Sequence, residues 1–172
     1  MEKPGFRHTN PALDKNDILS IKKIKELIST LKEKHSLSHE EILQIIQQEA
    51  SFPVSILNKR LTVLESVVKY LKEESNIPLC DISRLLKRDQ RNIWHAFDNS
   101  KKKHKSKLSI DKNSIQIPVA ILADSELSAL ESLVVYLKEN LRFSYHEIAL
   151  AIKRDDRTVW TAYNNSKKKR NR

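Results

Sequence analysis

Two stretches of the chain decide its fold. Residues 64–103 read LESVVKYLKEESNIPLCDISRLLKRDQRNIWHAFDNSKKK, and residues 130–169 read LESLVVYLKENLRFSYHEIALAIKRDDRTVWTAYNNSKKK. At a constant offset of 66, 20 of the 40 paired positions are identical, so both stretches must adopt one shared fold. Tyr70-Leu71-Lys72-Glu73 answers Tyr136-Leu137-Lys138-Glu139, and Lys87-Arg88-Asp89 answers Lys153-Arg154-Asp155. Each copy closes on an Asn-Ser pair followed by three lysines.

Inside each copy, apolar residues recur at steps of three and four. Leu61, Leu64, Val67, Val68 and Leu71 share one face of a long helix, as do Leu127, Leu130, Leu133, Val134 and Leu137. A short helix follows, with Ile82, Leu85 and Leu86 inward in the first copy and Ile148, Ala151 and Ile152 in the second. Ser144 and Glu147 form a capping box at its start; Pro78 takes the serine position in the first copy, where proline is tolerated. Asp89 and Asp155 are placed to cap a third helix. Phe52-Pro53-Val54 and Ile117-Pro118-Val119 open the two units, since proline holds the residue before it extended. The spacing of these openings differs from the core offset by one residue, which implies a small insertion before the first helix.

No β-alternation of useful length is present, so the expected class is all-α. The expected architecture is two tandem three-helix helix-turn-helix units, 52–103 and 117–172, the second with a basic tail, joined by a linker at 104–116. Residues 1–16 are expected to form a flexible arm. Residues 17–50 read as a degenerate two-helix unit, with Ile24, Leu27, Ile28 and Leu31 on one face and a capping box from Ser38 to Glu41. That unit lacks a basic third helix, which suits a partner element better than a nucleic-acid reader.

Net charge is +10, and it is concentrated. Residues 101–107 and 167–172 each carry five basic side chains and no acid; removing those ten leaves 22 basic against 22 acidic residues. Because the same cluster recurs at the same repeat position, a polyanion partner explains it better than solubility does. No long apolar segment or lipidation motif accompanies the clusters, so no membrane partner is expected. Cys80 is the single cysteine, which excludes an internal disulfide and fits a reducing compartment. Gly5 is the single glycine, so a glycine-rich phosphate loop is excluded. No signal peptide is expected, because the first twenty residues lack an apolar core.

The short helix, the turn and the third helix together read as a helix-turn-helix. A recognition helix must bury one face in its own domain and turn the other to the major groove. Ile93, Ala96 and Phe97 supply the buried face in the first copy, and Val159, Ala162 and Tyr163 in the second. The opposite face offers Gln90, Arg91, Asn92 and His95, and Asp156, Arg157, Thr158 and Thr161, as base-reading candidates. Arg88, Lys101, Lys102, Lys103 and Lys105, with Arg154, Lys167, Lys168, Lys169 and Arg170, are the candidate phosphate contacts. Trp94 and Trp160 are expected to pack against the first helix, with contact to a thymine methyl or a sugar as the alternative.

The second copy, Phe143-Ser144-Tyr145-His146-Glu147-Ile148-Ala149 followed by Lys153-Arg154-Asp155-Asp156-Arg157-Thr158-Val159-Trp160, resembles the helix-turn-helix in the fourth region of bacterial sigma factors. In that family a serine-capped helix with an acid-isoleucine-alanine step leads to an arginine-threonine-valine recognition helix. Lys87 and Lys153 stand where the family's turns often hold glycine. The resemblance covers about thirty residues per copy, and no other sigma-factor region is recognisable.

His35 and His39 lie with Glu40 and Glu41, but a turn separates the histidines and no third ligand is near, so no metal is expected. Asp155 and Asp156 read as cap and first-turn charges. With no nucleophile-and-base pattern and no cofactor motif, the chain is not expected to be an enzyme. The expectation is a cytoplasmic, nucleoid-associated transcriptional regulator that binds double-stranded DNA on adjacent half-sites. The alternatives are an adaptor docking on RNA polymerase or another regulator through its N-terminal unit, and RNA binding.

Overall fold

The computed structural model describes residues 50–111 and 113–171, with Leu19, Lys22, Lys23, residues 25–27, Ser29, Thr30 and Lys34. These nine N-terminal residues are helical, and Leu27, expected inward, is exposed. The arm at 1–16, the face residues Ile24, Ile28 and Leu31, the capping box at Ser38 and the histidines His35 and His39 lie outside the described residues. The chain divides into a unit at Met1–Ile46 and a unit at Gln47–Arg172, and the second carries both repeats.

Each repeat opens on a short strand and a 3-10 turn, then forms three helices. In the first, β1 (Ser51–Pro53) and the turn Val54–Ile56 precede α1 (Val63–Glu73), α2 (Leu79–Leu85) and α3 (Gln90–Lys103). In the second, β2 (Gln116–Pro118) and the turn Val119–Ala123 precede α4 (Ala129–Val135), α5 (Tyr145–Ile152) and α6 (Asp156–Arg170). A π-wound segment, Tyr136–Asn140, continues α4. The protein is mainly helical, as expected, and the described residues add one short two-stranded antiparallel sheet in which Phe52 faces Ile117. Three-residue strands are too short to show an alternation, and the prolines that mark them read only as helix boundaries.

The helices start where side chains can satisfy their free N–H groups. Thr62 with Glu65 and Ser128 with Glu131 form capping boxes on α1 and α4, and Ser144 with Glu147 forms the expected one on α5. The Asp89 carboxylate accepts from the backbone N–H groups of Arg91 and Asn92 at 2.9 and 3.3 Å. Asp155 differs from expectation: it makes no side-chain cap bond, and its carboxylate accepts from the Thr158 hydroxyl at 2.9 Å instead. Lys87 and Lys153 adopt left-handed backbone, φ 47° and 55°, as do Asn76 and Arg142, φ 56° and 61°. All four sites are where glycine is favoured, and each repeat bends at the same two places without it. The turn before α3 is held by the Arg88 N–H on the Ser83 carbonyl and the Ser83 hydroxyl on the Arg88 carbonyl, at 3.0 and 2.8 Å.

In each repeat the first helix packs along the third, and the second helix braces both. The inner faces read from periodicity are buried, except that Leu64, Leu130, Leu85 and Ala151 are half-buried at the margin. One apolar cluster runs through both repeats. The repeats are joined by reciprocal contacts that define a pseudo-two-fold relation. The Val54 N–H donates to the Ile115 carbonyl at 2.9 Å, and the Val119 N–H to the Ala50 carbonyl at 2.8 Å. The Val54–Ile56 turn packs on α5, and the Val119–Ala123 turn packs on α2. Residues 104–116, expected as a linker, lie against the first repeat: Leu108 is buried, and the Asp111 N–H donates to the Ser55 hydroxyl at 3.0 Å.

Two arginines complete this relation. Arg154 donates to the carbonyls of Asn58 and Leu61 in the first repeat at 2.8 and 2.6 Å. Arg88, its equivalent, donates to the Leu127 carbonyl in the second repeat at 2.9 Å, with Leu122 and Asp124 at 3.5 Å. Asn58 and Asp124 hold matching loops, each carboxamide or carboxylate oxygen accepting from N–H groups two and three residues on. The one-residue shift in spacing falls at the 3-10 turn, since Val119 lies 65 residues after Val54 but Asp124 lies 66 after Asn58. Arg154→Met should lower stability by about 2–3 kcal/mol and Arg88→Met by about 1–2 kcal/mol, because charged donors to part-buried carbonyls are removed. Denaturant unfolding followed by circular dichroism checks this; losses below about 0.5 kcal/mol would mean that water satisfies the carbonyls equally well.

Candidate nucleic-acid interface

α3 and α6 each bury one face, through Ile93 and Ala96 and through Val159, Ala162 and Tyr163. The other face is left to solvent. Gln90, Arg91, Asn92 and His95 are exposed on α3; Asp156, Arg157 and Thr161 are exposed on α6, and Thr158 is partly so. The structure therefore gathers the eight expected base-reading side chains on two equivalent helix faces. Asp156 has a neighbour outside α6: its carboxylate lies 3.2 Å from His146 Nδ1 on α5.

Arg88 and Arg154, expected as phosphate contacts, lie where the two repeats meet. Their guanidinium groups hold carbonyls of the opposite repeat, a role that no reading of a single repeat could show. Both line one cavity of about 360 Å³ with Val63, Leu64, Ala129 and Leu130, so the N-terminal ends of α3 and α6 flank the pseudo-axis.

The lysine clusters divide into two groups. Lys103 and Lys169, 66 residues apart, reach back to the buried capping-box carboxylates of Glu65 and Glu131 at 2.6 and 2.7 Å. They tie the end of each third helix to the start of its first helix, an intramolecular role that the charge pattern alone did not show. Arg170 likewise pairs with Glu139 at 3.2 Å. Lys101 and Lys167 lie over the rings of Phe97 and Tyr163 at 5.5 and 4.8 Å, with their ammonium groups exposed. Lys102 pairs only with surface Asp98 at 2.6 Å, and Lys105 and Lys168 are exposed.

Two basic residues escaped the sequence reading. Lys59 and Arg60, in the loop before α1, line a recess of about 480 Å³ with Lys153 and Asp155 at the start of α6. Their counterparts beside α3 are Ser125 and Glu126. Lys59 and Arg60 of the first repeat therefore share this recess with Asp155 of the second. Trp94 and Trp160 are 53% and 55% exposed, which overturns the expectation that they pack against the first helix. They sit one position past Ile93 and Val159, and that rotation carries the indoles beyond the buried face.

Burial raises the Glu131 carboxyl, but hydrogen bonds from Lys169 and from the Ser128 N–H and hydroxyl outweigh it and hold the group below its ordinary value of 4.5. Hydrogen bonds from Ser144 hold exposed Glu147 low as well. A depressed folded value stabilises the fold above the ordinary value, and that contribution is lost as pH falls through the folded one. Stability should therefore drop below about pH 4.5, and Glu131→Gln should flatten part of that drop in melts recorded from pH 6 to 3. An unchanged acid slope would remove Glu131 from the account.

Among the described residues no group of three or more His, Cys, Asp or Glu side chains could hold a metal, and no helix is long and apolar enough to cross a membrane. No protein-family profile matches the chain, and no curated protein or solved structure is significantly similar to it.

Proposed function

We propose that the chain binds duplex DNA in a sequence-specific way through two helix-turn-helix readers, α2–α3 and α5–α6, and regulates transcription, as its resemblance to the fourth region of sigma factors implies. The observation that carries this reading is the equivalence of the two outer faces. Each third helix leaves an arginine, a tryptophan and further polar groups exposed over its first two turns and ends in exposed lysines. Arginine matches guanine in bidentate geometry, and asparagine or glutamine matches adenine. Lysines beyond the reading turn suit phosphates, which fix the register. Gln90, Asn92 and His95 face Asp156, Thr158 and Thr161 at the equivalent positions, so the two readers prefer different bases. The adaptor alternative rests on the N-terminal unit, most of which is outside the described residues.

A gel-shift series with duplex DNA, single-stranded DNA and RNA of one sequence tests the reading. Duplex DNA should be retained at the lowest protein concentration. Preference for either other ligand would reject it. Arg91→Ala and Arg157→Ala should each cost about 1–3 kcal/mol on a preferred duplex and relax specificity at one position. Equal losses on preferred and random duplexes would make both arginines phosphate contacts.

A further inference from the structure

Trp94 and Trp160 are the two tryptophans of the chain, and they occupy equivalent positions with half of each surface in solvent. An indole is the largest apolar surface a side chain offers, and a buried one stabilises strongly. Each repeat nevertheless buries the neighbours Ile93 and Ala96, or Val159 and Ala162, and leaves the indole outside. Each indole follows an exposed arginine, Arg91 or Arg157, by three residues and so shares its helix face. About two turns further on, the same side carries Lys101 and Lys102, or Lys167 and Lys168. The rings of His95 and Trp94 meet in a T-shaped contact at 5.1 Å and 76°. Among the described residues neither indole N–H has a hydrogen-bond partner, so nothing draws the rings inward.

From this placement we infer that Trp94 and Trp160 read thymine methyl groups in the major groove. The inference rests on the duplex-binding reading above and adds the base that each helix selects beyond its arginine. The major groove displays donors, acceptors and one apolar group, the thymine C5 methyl. An exposed apolar ring carried into that groove beside an arginine has this one complementary partner. Stacking on an unpaired base is the competing use of an exposed indole, but it needs a strand splayed over an open platform. Here each indole shares its helix face with an arginine and two lysines, and among the described residues no second aromatic ring lies beside either one to form such a platform except the His95 imidazole next to Trp94. Double-stranded RNA fits no better, because its deep, narrow major groove does not admit side chains and it carries uracil in place of thymine.

The test begins with a random duplex pool, from which the intact chain selects its preferred sequence. Each thymine of that duplex is then replaced singly by deoxyuridine, which removes one methyl and leaves every hydrogen-bonding edge in place. Burial of one methyl corresponds to about a fourfold change in affinity. The expected result is a loss of about fourfold at one thymine under each reader. Trp94→Ala should abolish the discrimination at one of these positions and Trp160→Ala at the other, with melting temperatures close to that of the parent chain because both rings are exposed. Uracil tolerated at every position by a chain that still selects a duplex would overturn the methyl contact and leave duplex binding intact. A pool from which no duplex is enriched would overturn both. Tighter binding of single strands than duplex, with quenched tryptophan emission, would identify the indoles as stacking platforms and likewise overturn the inference.

Discussion

Separated at the bond between residues 107 and 108, neither half of this protein should fold as a stable monomer. The apolar cluster is continuous through both repeats, and Phe52 and Ile117 are fully buried on strands that pair only with each other. The 3-10 turn of each repeat packs on the second helix of the other, so a half would expose Ile56 or Leu122 as well. Exposing a large aliphatic or aromatic side chain costs about 1.5–3 kcal/mol, and a domain's whole stability is about 5–15 kcal/mol. Two or three such side chains, with the carbonyls that Arg88 and Arg154 satisfy, account for most of that margin. Thermal melts of 1–107 and 108–172 should lack the cooperative transition of the intact chain, and mixing the two should restore it. A half that pairs with a second copy of itself through the same two-fold contacts would show a melt that depends on concentration. A concentration-independent cooperative melt from either half alone would contradict a shared core.

Alanine at Lys101, Lys102, Lys105, Lys167 and Lys168 together should have the second large effect, on nucleic-acid binding and not on folding. These are five of the six cluster lysines that no buried carboxylate holds; the sixth, Lys107, lies 3.7 Å from exposed Glu74. Removing one phosphate partner should lower the slope of log affinity against log salt by about 0.9, so all five substitutions together should lower it by up to about 4–5. The weakening should be alike on every duplex sequence, because phosphates carry no sequence information. Lys103→Ala and Lys169→Ala serve as the internal contrast. They should lower melting temperature by loosening the capping boxes at Glu65 and Glu131, with little change in salt slope. A five-lysine variant with the parental slope would return the clusters to the role of solvated tails.

The repeat, the three helices of each copy, the inner faces and the cap at Ser144 are legible in the sequence because they rest on local chemistry: apolar spacing and capping act within a few residues. The contacts between repeats are not legible, because nothing local marks them. Arg88 and Arg154 look like any basic residue before a helix, and only the opposite repeat shows that they hold carbonyls. The same is true of Lys59 and Arg60, which lie far in sequence from the α6 terminus they flank. Leu108 reads as one of three apolar residues in a polar linker, with Ile110 and Ile115, yet of the three it is the one that joins the core. The lysine clusters are plain in the sequence as local excesses of charge, but their members separate only once Glu65 and Glu131 are placed under the helix ends. For the tryptophans, a single step along the helix divides core from surface, and aromatic composition alone favours the core.

The most direct measurement of the central claim is a titration of the isotope-labelled intact chain with the selected duplex, followed by backbone amide and indole N–H resonances. The largest shifts are expected on residues 90–95 and 156–161, including both indoles, with the lysine clusters following and the sheet residues Ser51, Phe52, Gln116 and Ile117 unmoved. Shifts confined to one third helix would contradict two equivalent readers, and shifts centred on the N-terminal unit, with α3 and α6 silent, would contradict DNA recognition by these helices altogether.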